Sequence, residues 1–168
     1  MEIRLACDIQ KDSVVDGPGI RTVIWTQGCP HHCKFCHNPE THSFKGGKVV
    51  LVSDLIKEIE ESELQDGITF SGGDPMMQPI PCAEIAKRCK ELGLNIWCYT
   101  GFLFEELLEK PDCVEFLKYV DALVDGKFDN DLKSYSAKFR GSKNQRIINV
   151  KSSLKKKKAV CFREYIVK

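Results

Sequence analysis

The 168-residue sequence has no long apolar run, no excess of charge of either sign and no apolar leader at its start. No stretch approaches the roughly 20 apolar residues that a membrane-spanning helix needs. Lys and Arg total 25 against 24 Asp and Glu, so the net charge of +1 gives no electrostatic reason to expect binding to nucleic acid or an anionic membrane. We therefore expect a cytoplasmic protein that binds neither nucleic acid nor membrane.

Cysteine, in contrast, is abundant and unevenly distributed. Three of the nine cysteines, Cys29, Cys33 and Cys36, fall within eight residues, and the other six are scattered. An odd number without a secretion signal argues against a disulfide framework, so most of the scattered cysteines are expected to be small buried hydrophobic residues. The same short segment also holds the histidines, whose role as ligands stays open: His31, His32, His37 and His42.

The cysteine spacing C-x₃-C-x₂-C is typical of a metal site. Three thiolates can hold one face of a [4Fe–4S] cubane and leave the fourth iron open for catalysis. The alternatives are a structural zinc site with a histidine as fourth ligand, a haem attached at the C-x-x-C-H pattern of residues 33–37, and three buried cysteines without a ligand. Zinc sites usually show two separated ligand pairs, and haem attachment would leave Cys29 unexplained. The spacing favours a cluster and leaves the others open.

Strands and helices are predicted to alternate along the chain. Strands are predicted at residues 22–26, 67–71, 95–100, 122–125 and 146–151. Helices are predicted after the N-cap Ser53, from Pro81 to Gly93, and from Phe104 with an interruption at Pro111. This alternation predicts a parallel sheet, in a chain too short for a complete barrel of about 250 residues. We expect a single α/β domain over residues 1–168, built as an incomplete (β/α) TIM-type barrel with a mostly parallel sheet.

Small or acidic residues lie at or just past the ends of the first four predicted strands. The carboxyl ends of parallel strands lie at the same edge of the sheet, where active sites of α/β proteins are found. We therefore expect one site to be formed by four segments: Gly28-Cys29, Gly72-Gly73-Asp74, Thr100-Gly101 and Asp125-Gly126.

The cysteine loop, with the aromatic Phe35 before its last cysteine, resembles the signature of the radical S-adenosylmethionine superfamily. Residues 16–21 and 36–41 resemble the flanking segments of glycyl-radical-enzyme activases. Four later segments are similar to anaerobic ribonucleotide reductase activating proteins in particular: residues 69–75, 97–101, 124–128 and 139–146. The resemblance covers residues 14–150.

This resemblance implies a [4Fe–4S] cluster on Cys29, Cys33 and Cys36, within loop 28–41, and S-adenosyl-L-methionine bound to its open iron. It implies no catalytic residue beyond these cluster ligands. The implied contacts with S-adenosylmethionine are Gly72, Gly73 and Asp74 for the methionyl amino group, Thr100, Asp125 and Lys127 for the ribose and methionyl carboxylate, and the backbone near Phe35 for adenine.

The implied activity is that of an oxidoreductase that cleaves S-adenosylmethionine reductively to methionine and a 5′-deoxyadenosyl radical. That radical would generate a glycyl radical on the implied partner, anaerobic ribonucleoside-triphosphate reductase, and flavodoxin or a similar protein would donate the electron. The tail, residues 152–168, alternates enough from Ala159 to predict a strand. It is assigned no function, and neither is its lysine run, residues 155–158.

Three other functions stay open. An activase of a pyruvate formate-lyase type enzyme is the nearest, although those proteins are usually longer and some carry a second cysteine run that is absent here. A small radical S-adenosylmethionine enzyme of modified-nucleoside synthesis is less favoured, because residues 16–21 and 140–146 resemble the activases. A zinc-binding interaction module is the alternative outside enzymes.

Overall fold

The computed structural model describes residues 1–166, in which eight strands join one sheet. The strands are β1 (Glu2–Leu5), β2 (Gln10–Ser13), β3 (Arg21–Thr26), β4 (Lys48–Leu51), β5 (Gly67–Gly72), β6 (Asn95–Tyr99), β7 (Ala122–Asp125) and β8 (Arg146–Asn149). The helices are α1 (Val52–Glu60), α2 (Pro79–Glu91), α3 (Phe104–Leu107), α4 (Pro111–Leu117) and α5 (Val150–Lys156).

Parallel pairing is confined to the centre of the sheet. The strand order is β4-β1-β3-β5-β6-β7-β8, with β2 also paired to β3. Strands β3, β5, β6 and β7 are parallel neighbours, whereas β1, β2, β4 and β8 each pair antiparallel. The α/β class and the parallel core are confirmed. The expectation of a mostly parallel sheet holds only for these core strands, and the sheet is not closed, so the incomplete barrel stays a prediction.

Apolar side chains cover both faces of the parallel strands, as expected when strands are buried on both sides. On one face, strand residues such as Ile24 and Phe70 pack with residues of α1, α2 and α4 in the main core. On the other face, Trp97, Val124 and Ile147 form a smaller cluster that aromatic residues from the last quarter of the chain cover. The parallel strands are thus held from both sides, which fixes the positions of their carboxyl ends.

Four of the six scattered cysteines are buried, as predicted: Cys82, Cys89, Cys98 and Cys113. Burial raises the pKa of the Cys89 thiol to about 12, so it stays protonated near neutral pH. These residues fill space in the core. Cys7 is exposed and Cys161 is half-buried, so the expectation that most of the six are buried is confirmed with these two exceptions.

Three predicted element boundaries are wrong by a few residues. Helix α1 begins at Val52 with Leu51 as its N-cap, so Ser53 lies inside the helix. Helix α2 begins at Pro79, because either of the two nearby prolines can occupy a first turn. Strand β8 ends at Asn149, whose side chain accepts a hydrogen bond from the backbone N–H of Ser152 and so begins helix α5.

The predicted strand from Ala159 is not formed within the described residues. Cys161 makes one isolated bridge with Ile148, and a 3₁₀ turn follows at Arg163–Tyr165. Val167 and Lys168, the end of the predicted tail, lie outside the described residues. Within residues 1–166, no helix combines the length and apolar character needed to cross a membrane.

Candidate active site

The carboxyl ends of the four parallel strands meet at one cavity of about 160 Å³. Each strand end contributes to its lining: Cys29 after β3, Gly72 and Gly73 at the end of β5, Thr100 after β6 and Gly126 after β7. The convergence expected from the strand ends is therefore observed.

Short backbone hydrogen bonds join the first two of these strand ends. The N–H of Gly73 donates to the carbonyl of Thr26 at 2.7 Å, and the N–H of Asp74 donates to the carbonyl of Gly28 at 2.8 Å. An added Cβ on Gly73 would lie 2.5 Å from the Gly28 carbonyl oxygen. Glycine is therefore required at this position by close backbone approach, not by an unusual φ angle.

All three thiols of the cysteine loop line the cavity, with Cys29 buried and Cys33 and Cys36 half-buried. Two residues between the cysteines are left-handed, His32 with φ of 48° and Phe35 with φ of 60°. That conformation costs a non-glycine residue roughly 1 kcal/mol, and such strain is often found where a loop holds functional groups. Here it turns the short loop so that the thiols share one space.

The donor set fits an iron–sulfur cluster. Three soft thiols are the ligands that such clusters use, and the N–H of Asn38 already donates to the Cys36 sulfur at 3.4 Å. Burial raises the pKa of the Cys29 thiol to about 11, so its thiolate needs a nearby cation, which bound iron would supply.

The Nε2 atom of His42, in the same cavity, is buried and has no hydrogen-bond partner among the described residues. Within that part of the chain, no three His, Cys, Asp or Glu side chains surround a single metal-ion position.

Asp74 is fully buried behind the cavity and does not line it. Its carboxylate accepts hydrogen bonds from the backbone N–H groups of Met76 and Gly101, both at 3.0 Å, and from the Thr100 hydroxyl at 2.9 Å. The Nε2 atom of His31 lies 2.7 Å from the same carboxylate. The predicted cofactor residue is thus surrounded by protein groups.

Asp125 is also fully buried, and its partner is Arg146 on the antiparallel strand β8. Arg146 Nε donates to Asp125 Oδ1 at 2.9 Å, a second nitrogen donates to Oδ2, and the N–H of Phe104 adds a bond of 2.8 Å. The guanidinium also contacts Glu105, and hydrogen bonding to it lowers the pKa of that carboxyl. Hydrogen bonds to Asp125 and Glu105 raise the pKa of Arg146.

Arg146→Met is expected to lower the free energy of unfolding by about 3 kcal/mol, because it leaves the buried Asp125 carboxylate without its counterion. Adding Asp125→Asn to that variant should recover part of the loss. Urea denaturation followed by circular dichroism measures both. Lys118→Met is the matched control, since Lys118 pairs with Glu115 on the surface. Its replacement should lower the free energy of unfolding by less than about 1 kcal/mol. Equal losses in the Arg146 and Lys118 variants would contradict the assignment.

Phe35 and Lys127 lie beside the cavity, not in its lining. Both border a neighbouring depression of about 270 Å³, which shares Phe128 with the cavity. The Phe35 side chain is largely exposed, at 62%. The structure therefore brings together the cysteines, Gly72, Gly73 and Thr100, and places Phe35 and Lys127 at the border of the site.

Several residues at the site were not predicted from the sequence. Tyr99, Phe128 and Gln145 line the cavity. Gln145 Nε2 donates to the Gly126 carbonyl at 3.0 Å, and its Oε1 accepts from the Gly141 N–H at 2.9 Å. Gln145 lies within residues 139–146, a segment that resembles the family, so this resemblance could have indicated a role for it.

Comparisons with known proteins agree with this geometry. Residues 15–148 match the family described as a 4Fe-4S single cluster domain. The chain is 38% identical over 123 residues to the pyruvate formate-lyase-activating enzyme of Clostridium pasteurianum, covering 67% of this chain and 52% of that protein. It is 35% identical over 141 residues to the anaerobic ribonucleoside-triphosphate reductase-activating protein of Enterobacteria phage T4, covering 79% of this chain and 86% of that protein.

The chain thus spans about half the length of the first relative and most of the second. Among solved structures, QueE from Escherichia coli aligns with a TM-score of 0.48 and 15% identity, over 60% of this chain and 53% of that one. A likeness that partial carries no weight for function. Of the metal sites left open by the cysteine spacing, the family match favours the iron–sulfur cluster.

Proposed function

The chain belongs to the 4Fe-4S single cluster domain family and, within it, to the radical S-adenosylmethionine activases of glycyl-radical enzymes, and we propose that it activates an anaerobic ribonucleoside-triphosphate reductase. The observation that supports this partner best is the match to the phage T4 activating protein, which extends over 86% of that protein. The family match, over residues 15–148, includes the segments that form the cavity. The chain is accordingly an oxidoreductase, and its cofactors are a [4Fe–4S] cluster and S-adenosylmethionine.

Cys29, Cys33 and Cys36 would hold the cluster and leave one iron without a protein thiolate. When bound and reduced, this cluster supplies the electron that cleaves S-adenosylmethionine into methionine and the radical that takes hydrogen from a glycine Cα. The protein itself needs no acid or base for that chemistry. Its part is to place the cofactors, to exclude water and to present the open side of the cavity to the partner.

The predicted contacts with S-adenosylmethionine form part of this proposal. Gly72, Gly73 and Thr100 line the cavity and would touch the bound molecule directly. Phe35 and Lys127, at the border of the cavity, would be reached by its adenosyl end. The carboxylates of Asp74 and Asp125, both fully buried, would act through the groups that hydrogen-bond to them: Thr100, Gly101 and Phe104.

Four further features belong to the proposal. The electron donor is flavodoxin or a similar protein, the location is cytoplasmic, residues 1–168 form one domain, and the open sheet is an incomplete (β/α) barrel. The last of these is supported by four parallel strands with connecting helices and by one site at their carboxyl ends.

A pyruvate formate-lyase type enzyme is a second candidate partner, because the activase from C. pasteurianum is 38% identical to this chain. That match leaves about half of the longer protein without a counterpart here, since it covers 52% of it. The phage activating protein is matched over a larger share of both chains, which favours the reductase.

A partner assay separates the two candidates. The protein is reconstituted with iron and sulfide under anaerobic conditions, reduced, and mixed with S-adenosylmethionine and either a reductase or a formate-lyase. We expect the doublet of a glycyl radical in the electron paramagnetic resonance spectrum of the reductase mixture, and no doublet when S-adenosylmethionine is omitted. A doublet that forms only with the formate-lyase would overturn the choice of partner. A colourless protein that retains only zinc would overturn the radical chemistry itself.

A further inference from the structure

We propose that His31 is a positioning residue that fastens the cysteine loop to the other strand ends through Asp74 and so gives the S-adenosylmethionine pocket its shape. This proposal rests on the proposed function and goes beyond it, because it assigns a role to a residue that is neither a cluster ligand nor a predicted cofactor contact. Together, His31, Asp74, Thr100 and Gly101 form what we call the latch.

The latch connects segments that are distant in sequence. His31 lies between the first two cysteine ligands, and Asp74 lies 43 residues further along the chain. The His31 Nε2 to Asp74 Oδ2 distance is 2.7 Å, and the two side chains are 7% and 0% exposed. Because both side chains are shielded from water, this hydrogen bond to a carboxylate is stronger than one at the surface. Within the described residues, the only other hydrogen bond between a side chain of residues 29–36 and a residue outside them is the local one from the Asn38 N–H to the Cys36 sulfur.

The carboxylate of Asp74 has its acceptor positions occupied by protein groups. Oδ1 accepts from Met76 N–H and from the Thr100 hydroxyl, which also lies 2.9 Å from Oδ2. Oδ2 also accepts from Gly101 N–H at 3.0 Å and faces His31. A carboxylate has about four acceptor sites, so little capacity is left for a ligand. Asp74 therefore acts by holding His31, Thr100 and Gly101, all three of which line the cavity.

The space around the His31 ring supports the same role. The ring meets Phe102 edge-on, with 4.5 Å between the ring centroids. A Cβ on Gly101 would lie 2.4 Å from a ring carbon of His31 and 2.6 Å from its Nε2. Glycine at position 101 therefore leaves room for the imidazole. Alanine there would force the ring away from Asp74, although the His31 and Asp74 side chains themselves are unchanged.

The test compares four variants of the full chain, each with all three cluster cysteines. His31→Ala removes the hydrogen bond, and Gly101→Ala displaces the ring. His31→Gln keeps a nitrogen donor close to the Nε2 position. His32→Asn is the matched control, because His32 lies in the same loop, is exposed, and has a left-handed φ that asparagine tolerates.

Two measurements apply to each variant. The first titrates S-adenosylmethionine into the reduced cluster protein and follows the change in its electron paramagnetic resonance spectrum. We expect His31→Ala and Gly101→Ala to keep their iron but to bind S-adenosylmethionine about tenfold or more weakly, with His31→Gln and His32→Asn near wild type. The second measures hydrogen exchange of the cluster-free protein. It should show faster exchange at loop 28–41 and at Gly101 in the same two variants.

Wild-type titration and exchange in His31→Ala would overturn the latch, and so would equal losses in His31→Ala and His31→Gln. A failure of the proposed function looks different. If the wild-type protein itself showed no response to S-adenosylmethionine, the activase assignment would fail, while the exchange comparison in cluster-free protein would still decide whether His31 fastens the loop.

Discussion

Cys33→Ala is expected to lose the bound cluster and the production of 5′-deoxyadenosine together. The three thiols of the loop share one cavity, and Cys33 is the central one. With two thiolates left, the remaining ligands cannot hold one face of a cubane, so the loss should be complete and not graded. Iron and sulfide analysis after anaerobic reconstitution measures the first effect. Chromatography of the reaction with S-adenosylmethionine and reductant measures the second.

Cys7→Ala is the matched control, because Cys7 is a free thiol that is exposed and lies outside the cavity. It should keep the full iron content and the full rate of cleavage. If Cys33→Ala kept both instead, another residue would have to supply the third ligand, and the assignment of three cysteines would be wrong. Loss of cleavage with full retention of the cluster would contradict it as well, because it would separate two properties that the assignment joins.

The cysteine loop and the core strands could be predicted because their signals are local. Cys29, Cys33 and Cys36 lie within one turn-rich segment, so their spacing alone limits the possible ligands. Strands such as β3 and β6 are runs of β-branched and aromatic residues that carry their preference within a few positions. The alternation of these strands with helices was sufficient to predict that their carboxyl ends form one edge.

Strand direction at the margins of the sheet could not be predicted in this way. Side chains alternate with a period of two whether a strand runs parallel or antiparallel to its neighbour. The sequence pattern of β8 therefore does not indicate its direction. Its direction depends on the path of residues 126–145, which return the chain to the Asp125 end of β7. Pairing of β1 with both β3 and β4 is a long-range choice of the same kind.

The roles of the two predicted carboxylates were limited by the same long-range contacts. Asp74 and Asp125 follow strands and match the family, which made them candidates for direct contact with the cofactor. The structure gives each of them a partner far along the chain, His31 for Asp74 and Arg146 for Asp125. Sequence patterns place a carboxylate near a site, but they do not reveal whether protein donors already occupy its oxygens.

Gly73, just past the end of β5, packs closely against the start of the cysteine loop. Its backbone lies against Gly28, the residue before the first cysteine ligand, and the N–H groups of Gly73 and Asp74 donate to the carbonyls of Thr26 and Gly28. A Cβ at position 73 would lie 2.5 Å from the oxygen and 2.9 Å from the nitrogen of Gly28. These are backbone atoms, which cannot rotate away as a side chain can, so the two strand ends would have to separate.

Gly73→Ala is therefore expected to lower the rate of S-adenosylmethionine cleavage about 100-fold, because a displacement of about 1 Å in a cofactor site costs that much. The free energy of unfolding should also fall, by about 1–3 kcal/mol from overpacking. Gly93→Ala separates the two effects. A Cβ on Gly93 meets nothing within 4 Å, but its φ of 78° makes alanine strained there, at a cost of about 1 kcal/mol. Both variants should thus be less stable in urea, and only Gly73→Ala should cleave S-adenosylmethionine more slowly than the wild type. Cleavage at the wild-type rate in Gly73→Ala would mean that the contact between residues 28 and 73 does not set the geometry of the site.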